Sequence, residues 1–362
     1  MKKIFYGMAA LALFFTSCER EQTPNLDQET QIDMSDFRVY TDVNVDEASK
    51  SSDNSKLNAH RTCYTMQNLN RLLNENPGLE RRMYNIEYQT REFIASKKPT
   101  GVGGGNGGNH GGGNGGGTTD PPTDNLGVIT IPVVINIIEK YDHQVTDNQI
   151  TSQLSILNKD YNNSNPNTLS VPGEFSSLVA DFNINFTLGS VNRKISTKSS
   201  WGTSDAMKFS SEGGIDATDP STNLNVWVCE IGGGILGYAQ FPGGPEATDG
   251  VVIGPNYFGE TSGPYGQGRT ATHEIGHWLN LRHIWGDGRC KQDDFVADTP
   301  SSDRPNYGCP SYPTVHCRST DMTMNYMDYT DDNCMYMFTN GQSDRARAIF
   351  LSGGPRAAMA GN

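Results

Sequence analysis

Residues 273–283 read "HEIGHWLNLRH", three histidines and a glutamate in eleven positions. On an α-helix, residues four apart share a face, so His273 and His277 direct two imidazoles at one point with Glu274 beside them. A catalytic zinc takes three protein ligands and leaves one position for water, whose pKa then falls toward about 7. His283 is the candidate third ligand, but a continuing helix would carry it off that face. The chain must therefore turn between 277 and 283. In the extended form of this motif a glycine makes the turn, because glycine takes positive φ. Here the position is Asn280, and asparagine is the non-glycine residue that best tolerates the left-handed region. Three unrelated surface histidines are the competing reading. The chain holds only 7 histidines in 362 residues, and three in this spacing argue against it.

The surrounding composition is that of an exported protein with long unstructured parts. Hydrophobic residues make up 35%, and the formal net charge is -13. That balance excludes nucleic acid and anionic membranes as electrostatic partners. Residues 1–18, "MKKIFYGMAALALFFTSC", pair two lysines with a short apolar run and small residues before Cys18. The run is too short to span a membrane and reads as a secretory signal. "FTSC" also resembles a bacterial lipobox, in which Cys18 is lipidated and attaches the chain to an outer membrane or cell surface. Cleavage nearby, giving a secreted protein, is the other outcome.

Residues 19–100 form a pro-segment. Its acidic start gives way at 64–96 to apolar residues at helical spacing, interrupted by "NPG" at 76–78, which predicts two helices and a turn. Residues 101–125 are a linker: glycine fills 12 of the 17 positions from 101 to 117, and no packing recovers the backbone entropy such a run would lose. His110 within it reads as solvated. The catalytic domain, 126–362, opens on a β-rich run, "GVITIPVVINIIEK", followed by a helix over 146–162 with Thr146 as N-cap. Strands are expected at 182–188, 223–231 and 249–258, and a closing helix at 341–352. The fold class is α+β. Of seven cysteines, Cys290, Cys309, Cys317 and Cys334 cluster near the C-terminus, where three pairings are open.

"HEIGHWLNLRHIWGDGRC", "VADTP", "NYMDYTDDNCMYMFTNGQ" and "GGGILGYAQFP" together resemble the pappalysin family of metzincin zinc peptidases, over roughly 126–352 and the N-terminal helices. The resemblance implies a twisted mixed sheet and active-site helix above a cleft. Below it would lie an irregular, disulfide-stapled subdomain with a Met-turn at Met327 and a C-terminal helix. It pairs Cys290 with Cys317 and Cys309 with Cys334, leaving Cys229 a buried thiol. It makes Glu274 the general base and brings Tyr329 to the transition state. Gly237, Tyr238 and Ala239 would be backbone contacts to a peptide substrate held as an added strand. Asp332 would select arginine or lysine at P1′. Calcium near Asp298 and Thr299 is also implied, although an aspartate-rich loop that is merely solvated reads the same way.

Cys63, in "HRTCYTM", stands where the family often carries a cysteine switch, a thiolate in the fourth zinc position that keeps the enzyme latent. A free thiol, or a disulfide with Cys229, is the alternative. "SKK" at 96–98 offers bonds for self-cleavage before Lys97 and Lys98. The expectation is a monomeric zinc endopeptidase acting on proteins and peptides. An inactive zinc-bearing surface lipoprotein used for binding is the second class, and intact Glu274 argues against it. Hydrolysis of non-peptide amides is a third.

Overall fold

The computed structural model describes residues 32–41, 62–97 and 124–361. The signal sequence, Cys18, the glycine linker and Lys98 lie outside the described residues. The chain divides into Met1–Asp33 and Met34–Asn362, and every helix and strand among the described residues belongs to the second unit.

Five strands form a mixed sheet: β1 (Ile129–Glu139), β2 (Ile184–Ile195), β3 (Leu224–Val228), β4 (Gly237–Ala239) and β5 (Val251–Ile253). Their order is β2-β1-β3-β5-β4. All neighbours are parallel except β4, which lies antiparallel to β5 at the edge. The central strands are buried on both faces, which is why β1 and β3 read as nearly continuous apolar runs.

Helix α3 (Asp147–Tyr161) begins at a Thr146–Gln149 capping box. It buries Tyr161 against Phe182, Phe186 and Phe338. Helix α4 (Arg269–Trp278) carries the "HEIGH" residues, all of them buried. Two further helices, α1 (Thr65–Glu75) and α2 (Leu79–Lys97), precede the sheet, joined by a turn at Gly78 with φ 86°. The apolar faces of α1 and α2 form one cluster with Val39 and Phe241, so the helical hairpin is closed by a residue of the catalytic domain. Helix α5 (Asn340–Ala348) closes the fold behind a Thr339–Gln342 capping box. It is shorter than the expected 341–352 and ends at Ala348.

Strand β2 differs most from expectation. It continues seven residues past Leu188, and none of the side chains in that half is buried. Alternation of apolar residues therefore could not mark it; the backbone ladder with β1 does. The register shifts between Val133 and Val134, opposite Gly189, whose hypothetical Cβ would lie 3.2 Å from the Val133 carbonyl oxygen. Strands β3 and β5 are shorter than expected, and residues 255–257 after β5 form a 3-10 turn.

From residue 284 to 339 the chain is irregular, with ladders of two residues only. The disulfides Cys290–Cys317 and Cys309–Cys334 staple it, which is the pairing the family resemblance implies. Cys63 and Cys229 are both free and buried, so they do not pair with each other.

Candidate metal centre

Helix α4 sets His273 and His277 on one face, and a tight turn returns the third imidazole. Asn280 has φ 73°, and its amide N–H bonds the His277 carbonyl at 2.9 Å. The chain reverses there, and His283 comes back toward the helix. The Nε2 atoms of His273, His277 and His283 form a triangle 3.2 Å on each side.

Each ring is held from behind. The Nδ1 of His273 faces the Tyr326 carbonyl at 2.7 Å, and that of His277 the Leu281 carbonyl at 2.8 Å. The Nδ1 of His283 faces the Asp287 carboxylate at 2.5 Å. Carbonyl and carboxylate oxygens only accept, so each Nδ1 carries the proton and three Nε2 lone pairs point at one another. Burial and the neighbouring His283 hold the His277 pKa well below the ordinary imidazole value, so that ring is neutral.

Three converging lone pairs are unfavourable unless a cation lies among them. A tetrahedral zinc with Zn–N bonds near 2.0–2.1 Å separates its nitrogen ligands by about 3.3 Å. The triangle has that size, so the residues fit the metal.

Cys63 approaches the same point, with its Sγ 3.6 Å from His277 Nε2 and 3.4 Å from Glu274 Oε2. For Zn–S near 2.3 Å, a sulfur ligand would stand about 3.6 Å from a nitrogen ligand. Cys63, His273, His277 and His283 are all buried, with one donor atom each within 4.8 Å of the others. Burial first, and Glu274 second, push the Cys63 thiol well above its ordinary pKa. A cation at the centre acts in the opposite direction.

The backbone around Cys63 lies along β4. The Leu236 N–H donates to the Thr62 carbonyl at 3.0 Å and the Tyr64 N–H to the Gly237 carbonyl at 3.1 Å, a parallel bridge centred on Cys63 and Gly237. Gly237 must be glycine: a Cβ there would sit 2.9 Å from the Val252 carbonyl oxygen and 3.1 Å from Glu274 Cγ. The Tyr238 side chain points into the core, where its hydroxyl donates to Asp205 at 3.0 Å.

Sequence reasoning overlooked Thr65. Its hydroxyl donates to Glu274 Oε2 at 2.7 Å and accepts the Ala239 N–H at 2.8 Å. Asp287 was also overlooked, although its place four residues after His283 is the available signal.

Met327 lies beneath the helix, where a Cβ at Gly276 would collide with its Sδ. The Tyr329 ring is buried beside His283, 4.9 Å between centroids, and 5.7 Å from His273. Asp332 is fully buried and accepts the Gln267 and Arg269 N–H groups at 2.9 and 3.1 Å, at the start of α4. That helix begins without a side-chain cap of its own at Gly268. Asp298 accepts from Thr339 Oγ1 and the Gly341 N–H, and the Thr299 hydroxyl donates to Asp294.

Comparison with known proteins agrees with this geometry. The M43 peptidase family, described as pregnancy-associated plasma protein-A, matches residues 214–351. An extracellular metalloprotease of Coccidioides posadasii is 34% identical over 230 residues, covering 60% of this chain and 74% of that protein. This chain belongs to the pappalysin family of metzincins.

Among solved pappalysin structures, promirolysin of Tannerella forsythia is 35% identical, with a TM-score of 0.69 over 83% of this chain and 97% of that one. Mature mirolysin in complex with a cleaved peptide is 41% identical, with a TM-score of 0.62 over 64% and 95%. As a pappalysin the chain is a metalloendopeptidase of α+β fold, a family that implies zinc as its metal.

Proposed function

We propose that this pappalysin is made as a latent zinc endopeptidase in which segment 62–97 blocks the cleft through Cys63. The observation that carries the reading is the convergence of three Nε2 atoms and the Cys63 sulfur on one point beside Glu274. His273, His277 and His283 would hold the zinc, which when bound polarises the scissile carbonyl and acidifies water. Glu274 takes the proton of the attacking water and delivers it to the leaving amine. The Tyr329 hydroxyl donates a hydrogen bond to the carbonyl oxygen as negative charge develops on it. The substrate backbone pairs with β4 at Gly237, Tyr238 and Ala239, on the edge that Thr62–Tyr64 occupies in the latent chain.

Asp332 supplies the negative charge that selects arginine or lysine at P1′. Its burial at the start of α4, the helix that carries His273 and His277, supports this. The same preference directs self-cleavage before Lys97 or Lys98, at the edge of the linker. Asp298 and Thr299 mark a loop where calcium would bind, beside the buried Asp294 carboxyl. Export through residues 1–18 agrees with the extracellular naming of the fungal relatives, and lipidation at Cys18 would keep the enzyme on the surface.

Purified full-length protein incubated with zinc, with each new N-terminus read by mass spectrometry, tests latency and specificity together. Glu274→Ala serves as the control. Cuts that ignore lysine and arginine at P1′ would exclude the Asp332 role. Immediate full activity without any cut would exclude latency.

A further inference from the structure

Among the ion pairs that fasten helices α1 and α2 to the catalytic domain, one half-buried and one fully buried pair have opposite polarity. Arg71 of α1 reaches Asp205, and Glu87 of α2 reaches Arg345 of α5. The two leave different things behind. Asp205 also pairs with Lys208 at 2.9 Å and accepts from the Tyr238 hydroxyl, so its charge is balanced without α1. Arg345 is 1% exposed, and among the described residues Glu87 is the carboxylate it meets, through both of its terminal nitrogens. Its Nε donates to the Asn280 carbonyl at 2.8 Å.

A second guanidinium lies alongside. Arg282, 5% exposed, and Arg345 both stand over the Phe295 ring, 5.0 and 5.5 Å from its centroid. Arg282 donates to the Arg38 carbonyl at 2.9 Å. Phe241 and Pro242 wall the same seam opposite Met83 and Ile86 of α2. Arg91, which pairs with Glu87 at 2.8 Å, belongs to α2 and would leave with it.

We propose that this place is an anion-binding exosite of the processed enzyme, which takes an acidic side chain flanked by apolar residues on a protein substrate where Glu87 sits in the latent chain. It rests on the reading that segment 62–97 is displaced on activation. Once α2 departs, the Arg345 charge loses its compensating carboxylate, and a buried charge left alone strongly favours a new partner. The planar guanidinium fork matches a carboxylate. The aromatic and proline wall favours a side chain carried on a polypeptide over a free small anion. Asn280 and Arg282 lie between the second and third imidazole ligands in the chain. Occupation of the exosite therefore extends recognition from the cleft onto the face behind the zinc turn.

The test uses full-length protein that has processed itself, separated by gel filtration and identified by mass. A fluorescent peptide of residues 83–90, which holds Glu87 but no lysine or arginine, and its Glu87→Gln form are titrated against it. The native peptide should bind at least about 10-fold more tightly than the Gln form. Saturating peptide should leave hydrolysis of a short chromogenic substrate unchanged. Arg345→Gln enzyme should bind both peptides equally, and the peptide pair on unaltered enzyme decides the matter even if that variant folds poorly. Equal binding of the two peptides, or inhibition of short-substrate hydrolysis, would overturn the exosite alone. Retention of fragment 62–97 through dilution and gel filtration after processing would overturn the displacement reading, and the exosite with it.

Discussion

The Thr65 hydroxyl, at the first residue of α1, donates to Glu274 Oε2 at 2.7 Å while accepting the Ala239 N–H at 2.8 Å. One side chain thus engages the proposed general base and the proposed substrate edge together. A hydrogen bond to a buried carboxylate is worth about 1.5–3 kcal/mol. Thr65→Val, similar in volume, should loosen the latch and speed self-processing by roughly 10-fold or more. Mass-spectrometric time courses of the two zymogens check this, and equal rates would remove Thr65 from the latch.

The turn at Asn280 can be tested through metal affinity. A β-branched residue at φ 73° costs about 1–2 kcal/mol or more in backbone strain. Asn280→Val should therefore weaken zinc binding by about 10-fold or more in a chelator competition, whereas Asn280→Gly should retain it. Unchanged affinity in the valine variant would show that the turn does not set the position of His283.

Gly276→Ala probes the packing beneath the site. A Cβ there collides with Met327 Sδ, and overpacking of this kind costs about 1–3 kcal/mol. The variant should melt several degrees lower, measured in a Glu274→Ala background to prevent autolysis. An unaltered Tm would mean that Met327 moves aside without cost.

Asp332→Asn keeps an acceptor for the Gln267 and Arg269 amides but removes the charge. Peptides with lysine or arginine at P1′ should lose about 10-fold in kcat/KM relative to those with leucine. A uniform loss across all peptides would instead assign Asp332 to holding the start of α4.

Stability should also depend on pH through Asp328. Burial, helped by nearby Asp321, pushes this carboxyl up to about 7. Its folded pKa lies above its unfolded value, so the neutral form is favoured on folding. That contribution is complete below about pH 4 and is lost as pH rises toward 7, on the order of a few kcal/mol. Asp328→Asn should therefore gain Tm relative to the parent at pH 8 compared with pH 5. The same difference at both pH values would contradict the shift.

The zinc helix, its turn and the α1–α2 hairpin were legible because each rests on local chemistry: i,i+4 spacing, a residue tolerant of positive φ, and apolar periodicity broken by "NPG". Cys229, expected within a strand over 223–231, instead follows the end of β3 at Val228. Less was readable where long-range contacts decide. The second half of β2 buries no side chain fully and is specified by backbone pairing with β1. Thr65 gains its role from Glu274, 209 positions away, and Arg345 from Glu87, 258 positions away. No local pattern encodes such partnerships.

The parallel bridge between Cys63 and Gly237 has a consequence for how activation proceeds. The β4 edge offers one row of hydrogen-bonding groups, and the segment at 62–64 occupies it by ordinary reversible contacts. While the chain is uncut, that segment competes at a high effective concentration, on the order of millimolar. Cutting the chain breaks none of the contacts. It turns a unimolecular equilibrium into a bimolecular one, so dilution after the cut, rather than the cut itself, would empty the edge. A nicked but undiluted sample should stay largely silent, and the same sample diluted should awaken.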